Sequence, residues 1–105
     1  MVSFEETPPV LRCSGDESRA TQGCRRPALS RALRADDDLV VELAELAFAD
    51  PSLMVDLAML ARRLRRSGKA LVLRSPQPQI RRLIEMVGLD RLQGVRIEGP
   101  VPALA

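Results

Sequence analysis

The chain contains no histidine, tryptophan or tyrosine, and only two phenylalanines among its 105 residues. Histidine is the side chain best suited to acid–base chemistry near neutral pH and is a common zinc ligand, so both of those uses are excluded. Proteins that bind single-stranded nucleic acid stack its bases on aromatic rings, which this chain almost lacks. These absences remove several classes of site before any motif is considered.

Charge and hydropathy narrow the choice of partner further. The formal net charge is only +2, and the arginines are interleaved with acidic residues, whereas a nucleic-acid surface collects positive charge on one face. No apolar run approaches the roughly 18 residues that a membrane span needs. The N-terminal segment MVSFEETPP is acidic and lacks the apolar core of a secretory signal. We therefore expect a cytoplasmic protein that binds no nucleic acid and does not insert into a membrane.

The two cysteines, Cys13 and Cys24, carry little chemical information. A disulfide between them is conceivable, but a cytoplasmic protein keeps its thiols reduced. Two thiols with no histidine and no further cysteine do not make a zinc site. We expect free cysteines, no metal and no cofactor. Because a Gly-rich phosphate loop and a credible nucleophile are also missing, the sequence predicts no catalytic residues and no enzymatic activity.

The length suits one domain with a single modest core. We place this domain at residues 10–99. An N-terminal tail is predicted at residues 1–9, with room for a short edge strand at Val2–Phe4, and a C-terminal tail at residues 100–105.

The first third of the domain is predicted as a strand, a loop and a helix. Alternation indicates a short strand at Val10–Ser14, and polar and small residues indicate a loop from Gly15 to Arg25. Because proline fits the first turn of a helix and not its middle, Pro27 places the first helix from near Arg26 to about Ala35. The acidic run Asp36–Asp38 would be repelled by the negative end of the helix dipole and therefore marks a turn.

The middle of the chain shows the clearest strand-to-helix transition. The run Leu39–Leu43 is almost entirely apolar, as in a strand buried on both faces. Asp50 is a good helix N-cap, and Pro51 suits the first helical position. The helix that follows carries one leucine stripe at the helical period and ends at Gly68. Burial against the sheet is predicted for the stripe leucines Leu57, Leu60 and Leu64.

The pattern then repeats. A buried strand is predicted at Ala70–Leu73, and a helix opened by Ser75, Pro76 and Pro78 ends at Gly88. A last short strand is predicted at Val95–Ile97. Strands that alternate with amphipathic helices indicate an α/β fold with a mostly parallel sheet.

Five short motifs follow one another in a fixed order. They are Ser14-Gly15, the strand Val40–Leu43, Phe48-Ala49-Asp50, the strand approach Gly68–Leu73, and the run from Ser75-Pro76 to Gly88-Leu89. In this order and spacing they resemble the STAS domain, the fold of bacterial anti-sigma factor antagonists. The resemblance covers roughly residues 10–97. It implies a STAS-like α/β fold, with a mixed, mostly parallel sheet of four or five strands and helices packed on it.

The resemblance also implies a function in transcription regulation. In the family, the unphosphorylated antagonist binds an anti-sigma factor, a histidine-kinase-like ATPase, and frees the sigma factor. Phosphate on the first Ser of Asp-Ser-Ser-Gly ends this binding, because negative charge appears inside the interface. The resemblance therefore implies a partner-binding surface around the start of the second helix. Its expected members are Asp50, Pro51, Ser52, Leu53, Met54 and Asp56, flanked by Ser18 and Arg19. We expect Leu53 or Met54 to be exposed there.

The chain departs from the family pattern at the regulatory position. Pro51 stands where the phosphorylated Ser is expected, and proline has no hydroxyl. Leu53 stands where the family pattern has a glycine. Ser18 stands where the family pattern has an acidic residue, although acidic residues lie directly before Ser18. Ser52 matches the second Ser of the motif, which usually shapes the loop, so phosphorylation at Ser52 is a secondary hypothesis. We predict that the usual phosphate switch is absent.

Two kinds of protein partner stay open at this point. The first is the anti-sigma factor, a histidine-kinase-like ATPase. The second is the ATPase of an ABC-type lipid transport system, which a small cytoplasmic STAS accessory subunit would brace. Weak homodimerisation is left open as well. Both readings describe a protein–protein interaction without catalysis.

Two charged features have a structural interpretation. The run Arg62-Arg63-Leu64-Arg65-Arg66 could bind nucleic acid or acidic lipid, but Leu64 belongs to the apolar stripe and the arginines cannot all share one face. A solvated helix face is therefore favoured. Glu42 lies within a buried-strand pattern and needs a partner such as an arginine.

Overall fold

A computed structural model describes residues 1–99 of the chain. Five strands and three helices alternate along it, with a short 3-10 helix at Arg19–Thr21 and another at Leu89–Arg91. The elements are β1 (Val2–Glu5), β2 (Val10–Glu17), α1 (Gln22–Ala32), β3 (Leu39–Ala49), α2 (Pro51–Arg66), β4 (Leu71–Arg74), α3 (Pro78–Val87) and β5 (Val95–Glu98). The predicted α/β fold class is therefore confirmed.

The five strands form one sheet in the order β1-β2-β3-β4-β5. Strand β1 is antiparallel to β2, and the other neighbours are parallel. The helices pack side by side on one face, where they share a single apolar core with the inward side chains of the sheet. Within the described residues, no helix combines the length and apolar composition needed to cross a bilayer.

The opposite face of the sheet carries charged side chains in register. One row across four strands reads Arg12, Glu42, Arg74 and Glu98, so positive and negative charges alternate. Arg74 Nε lies 2.9 Å from Glu42 Oε1, which confirms that Glu42 has an arginine partner. Opposite charges on neighbouring strands stabilise a sheet face. The neighbouring row on the same face is apolar instead, because it contains Val10, Val40 and Val72.

The segment predicted as an N-terminal tail contributes β1 to the sheet. Phe4 in this strand is 9% exposed and belongs to the core, and the guanidinium of Arg31 on α1 lies 5.5 Å from the centre of its ring. The edge strand expected at Val2–Phe4 is present and is one residue longer. The sheet therefore begins at Val2, and the predicted tail at residues 100–105 lies outside the described residues.

Strands β2 and β3 are longer than predicted. They extend together, with Gly15 opposite Leu46 and Glu17 opposite Ala49, through two irregularities in the register. Beyond Glu42, β3 has no partner in β4. The side-chain amides of Gln77 and Gln79 instead donate to the carbonyls of Ala44 and Ala47 at 2.8 and 2.9 Å. The part of β3 beyond Glu42 has no simple alternating pattern, and these non-local hydrogen bonds stabilise it as a strand.

Helix α1 starts earlier than predicted, at Gln22, and ends at Ala32. Pro27 lies inside it and not in its first turn, so the expected start near Arg26 is wrong. Proline removes one helical hydrogen bond, which would have reached the carbonyl of Gly23. Arg25, in the turn before the proline, is 1% exposed and fully engaged by polar partners. We attribute the helical turn ahead of Pro27 to these contacts.

Helix α2 follows the prediction closely. Asp50 is its N-cap, Pro51 is its first residue, and Gly68 follows its C-cap with a left-handed φ of +73°. The stripe leucines Leu57, Leu60 and Leu64 are 0%, 2% and 3% exposed. Their predicted burial is confirmed, and it fixes the orientation in which α2 presents its first turn.

Candidate functional site

Asp50 fixes the first turn of α2 to the segment that follows β2. Its Oδ1 accepts hydrogen bonds from the backbone N–H of Ser52 at 2.9 Å and from the Ser52 hydroxyl at 2.5 Å. Its Oδ2 accepts the backbone N–H of Arg19 at 2.9 Å. The hydrogen bond from the Ser52 hydroxyl, followed by that from the Arg19 amide, lowers the pKa of Asp50. The carboxylate therefore stays ionised and holds two chain segments together.

Arg25 connects three elements from inside the protein. Its Nε donates to Asp56 Oδ2 at 2.8 Å, and its Nη2 donates to Ser52 Oγ at 3.0 Å, both on α2. Its Nη1 donates to Glu17 Oε1 at 3.2 Å and to the Ser18 carbonyl at 2.9 Å. A planar guanidinium suits this role because its donors point in fixed directions. We call Glu17, Arg25, Ser52 and Asp56 the Arg25 network.

Glu17 supplies the second buried charge of the network. It is 1% exposed, and its Oε1 accepts from the Thr21 hydroxyl at 3.0 Å as well as from Arg25. Its Oε2 accepts from the α-amino group of Met1 at 2.7 Å. Buried charges are costly unless opposite charges and hydrogen bonds satisfy them, and here both conditions are met. The network therefore joins the end of β2, the start of α1 and the start of α2.

The hydroxyl of Ser52 is engaged on both sides. It donates its proton to Asp50 and accepts a hydrogen bond from the Arg25 guanidinium. A cationic donor draws electron density from the oxygen, and its geometry holds the side chain in one position. Ser52 is half-buried, whereas Pro51 beside it is exposed and has no hydroxyl. At this turn the accessible residue cannot accept a phosphoryl group, and the residue with a hydroxyl is held in a network.

The structure brings most of the sequence-predicted site residues together. Hydrogen bonds connect Asp50 with Arg19 and Ser52. Arg25 donates hydrogen bonds to both the Ser18 carbonyl and the Asp56 carboxylate. The Ser18 side chain also accepts from the backbone of Ala20, which caps the short 3-10 helix. These residues form one surface at the start of α2.

The expected exposure of Leu53 or Met54 is wrong. These side chains are 0% and 2% exposed and belong to the core. The leucine stripe fixes the rotation of α2, and this rotation turns positions 53 and 54 inward. Apolar surface near the start of α2 comes instead from Pro51 and from Val55, which is 58% exposed.

Sequence reasoning missed Arg25, Glu17 and Thr21. Because Pro27 predicts a helix start near Arg26, Arg25 falls in the predicted loop, and a buried arginine has no signature in a local pattern. One signal was available: if the helix begins before Pro27, Thr21 and Arg25 are four residues apart and lie on one face. Glu17 directly precedes Ser18, so an acidic group is present one residue from the position where the family pattern places one.

The acidic turn and the two cysteines lie outside this surface. Asp38 Oδ1 accepts the backbone N–H of Ala70 at 2.8 Å, which ties the acidic turn to the start of β4. Both cysteines are free; Cys24 is exposed, and burial raises the pKa of the Cys13 thiol to about 12. Within residues 1–99, no three cysteine or carboxylate side chains lie close enough to share a metal ion.

Comparison with known proteins identifies the class of this fold. The family described as "Mlab, STAS domain" matches residues 1–96. The chain therefore belongs to the STAS-domain family. No curated protein sequence matches it significantly.

Solved structures with the same fold include anti-sigma factor antagonists. Unphosphorylated SpoIIAA is 19% identical with a TM-score of 0.77, and the match covers 99% of this chain and 93% of that chain. An anti-sigma-factor antagonist (STAS) domain protein from Planctomyces limnophilus is 14% identical with a TM-score of 0.75 and the same coverage. Phosphorylated SpoIIAA from Bacillus is 17% identical with a TM-score of 0.68, and the match covers 99% of this chain and 96% of that chain. At these identities, the matches show a shared fold.

Proposed function

We propose that this protein is a non-catalytic, cytoplasmic regulator that acts by binding a protein partner, as an anti-sigma factor antagonist does. The partner would be an anti-sigma factor, a histidine-kinase-like ATPase, and the outcome would be release of a sigma factor for transcription. Two findings support the proposal: the membership of the STAS family and the hydrogen-bonded surface at the start of α2. The contact surface would comprise Ser18, Arg19, Asp50, Pro51 and Val55.

The observation that carries the proposal is the chemistry of the first turn of α2. Pro51 occupies the position of the phosphorylated serine and offers no nucleophilic oxygen. As the first helical residue it also removes no helical hydrogen bond. On the buried side of this turn, Arg25 donates hydrogen bonds to Ser52 and Asp56. We therefore propose that the surface is permanently in its binding form, with activity set by abundance and not by phosphate.

A permanent interaction also suits the alternative partner. A STAS accessory subunit that braces the ATPase of an ABC-type lipid transporter needs no phosphate switch. The same surface at the start of α2 would then contact a transport ATPase. Pro51 favours this candidate, because the hydroxyl that Pro51 lacks is needed for the phosphate switch of anti-sigma factor antagonists. A transport subunit would not need that hydroxyl.

Affinity capture from cytoplasm with mass spectrometry separates the two candidates. Recovery of a histidine-kinase-like ATPase supports the antagonist, and recovery of an ABC ATPase supports the transport subunit. Substitution Arg19→Glu tests the surface, with Arg26→Glu, also exposed, as a matched control. Loss of capture is expected for the first variant only. If neither kind of ATPase is recovered with the natural chain, the proposed function is wrong.

Phosphoryl transfer tests the absence of the switch directly. The natural chain and the Pro51→Ser variant are incubated with the captured kinase and labelled ATP. We expect label only on the variant, at the new hydroxyl. Strong labelling of the natural chain at Ser52 would contradict the proposal, because it would mean that the Arg25 network releases its serine.

A further inference from the structure

Two adjoining depressions along α2, beside the segment 87–93, together form a groove. Its first half is apolar and is lined by Pro51, Val55, Ala58, Val87 and Leu89. Its second half is lined by Arg62, Arg65 and Arg66, and the two halves join at Arg62 and Leu92. The groove therefore changes from apolar to basic along one helix.

The three arginines of the groove are available to a ligand. They are exposed, and no carboxylate among residues 1–99 lies within ion-pair distance of them, whereas Arg25 and Arg74 are each paired. No aspartate or glutamate lines either half of the groove. Arg63 points elsewhere, toward a separate depression between α1 and α2. Three of the four arginines in the run thus line one concave surface, and no carboxylate among residues 1–99 neutralises their positive charge.

We propose that this groove binds an acidic amphipathic segment of the protein partner. Apolar side chains of the segment would occupy the half beside Val55, and its carboxylates would pair with Arg62, Arg65 and Arg66. This proposal rests on the proposed function, because it assumes that the chain acts by binding a protein. A helix laid in a groove is a common mode of recognition, and charge complementarity fixes its direction.

The two ends of the groove determine how the segment lies. The apolar end of the groove begins at Pro51, the first residue of α2, and has no cationic side chain to pair with a carboxylate until Arg62. The arginines stand at the other end of α2. The acidic part of the segment therefore points toward the C-terminal end of α2, and its apolar part lies beside Pro51.

The same observations disfavour other ligands for the groove. No aromatic side chain lines it, so the bases of a nucleic acid would find no stacking surface. A flat bilayer would not reach the recessed residues Leu89 and Leu92, which are buried and half-buried. A peptide segment with both apolar and acidic side chains uses both halves at once.

Fluorescence anisotropy with synthetic peptides tests the proposal on the intact chain. The probe is a labelled peptide as long as α2, 16 residues, with leucines at helical spacing in its first half and glutamates in its second half. The comparison peptides carry glutamine for glutamate, or serine for leucine. We expect the acidic probe to bind and both comparison peptides to bind at least about tenfold more weakly.

Matched variants test whether the acidic peptide binds in the groove. Arg62→Glu with Arg65→Glu should weaken binding of the acidic probe at least about tenfold, and Val55→Asp should weaken it as well. Arg63→Glu on the other side of the same helix should leave the affinity within about twofold. All four positions are exposed, and circular dichroism checks that each variant is folded. Equal loss in the Arg63→Glu variant would overturn the proposal.

The remaining outcomes also decide the question. No binding of the acidic probe, or equal binding of the glutamine peptide, overturns the proposal. Tighter binding of duplex DNA or of phosphatidylglycerol vesicles, lost in the Arg62→Glu, Arg65→Glu variant, overturns it in favour of that ligand. If ATPase capture succeeds and is unchanged by this variant, the groove assignment fails while the proposed function stands. If capture fails with the natural chain but the acidic probe binds as expected, the proposed function fails and the groove stands.

Discussion

Arg25 is predicted to contribute more to stability than any exposed arginine of the chain. The substitution Arg25→Met keeps much of the side-chain volume and removes the guanidinium. Glu17, 1% exposed, then loses its nearest buried positive charge and keeps only the Thr21 hydroxyl and the α-amino group of Met1. Breaking a buried ion pair on one side costs about 3–5 kcal/mol. That is a large part of the roughly 5–15 kcal/mol by which proteins of this size are stable.

The assay is urea denaturation followed by far-ultraviolet circular dichroism, because the chain has no tryptophan or tyrosine to report by fluorescence. Arg26→Met is the control, since Arg26 is the exposed neighbour in the same helix. We expect the urea midpoint to fall strongly for Arg25→Met, whereas the free energy of unfolding of the control should change by about 0.5 kcal/mol or less. The slope of the transition should stay the same, since the surface exposed on unfolding does not change.

A double-mutant cycle then isolates the pair. Glu17→Gln alone leaves Arg25 with Asp56 and Ser52, so its cost should be smaller than that of Arg25→Met. Arg25→Met combined with Glu17→Gln should cost less than the sum of the two, with a coupling free energy of about 0.5–3 kcal/mol. Additive costs, or an Arg25→Met cost equal to that of Arg26→Met, would refute the assignment of Arg25 as the centre of a buried charge network.

Three further predictions concern the core, the thiols and the cap. Leu60→Ala should cost about 2–5 kcal/mol in the free energy of unfolding, whereas Met59→Ala, at a position 57% exposed, should cost about 0.5 kcal/mol or less; similar costs would mean that the buried face of α2 is misassigned. A thiol reagent should label Cys24 and not Cys13 in the folded chain at pH 8, because burial raises the pKa of Cys13 to about 12; mass spectrometry of the labelled peptides would reveal the opposite result. The pKa of Asp50 is lower in the folded chain, so its carboxylate stabilises the fold fully above the unfolded value of about 3.9 and loses this effect as the pH falls through the folded value. The difference in urea midpoint between the natural chain and Asp50→Asn should therefore shrink on acidification, and a constant difference would contradict this.

Local patterns were sufficient for the elements that have strong ones. The leucine stripe of α2 follows the helical period, and its burial determines which face of the helix meets the sheet. Asp50, Pro51 and Gly68 act through their own backbone chemistry, so the start and end of α2 follow from the sequence. The order and spacing of short motifs also indicated the STAS family and the position of Pro51, because both are properties of the chain and not of its packing.

Only the tertiary structure decided how distant segments meet at the start of α2. The burial of Arg25 depends on Glu17 from β2 and on Ser52 and Asp56 from α2, which are brought together by the sheet and the packing of two helices. Leu53 and Met54 are buried because the whole helix is oriented by its stripe, although their place near an N-terminus suggested exposure. The rear half of β3 is held by Gln77 and Gln79 from another element. A local pattern records the preferences of neighbouring residues, whereas burial and ion pairing depend on residues that are far apart in the chain and close together in the fold.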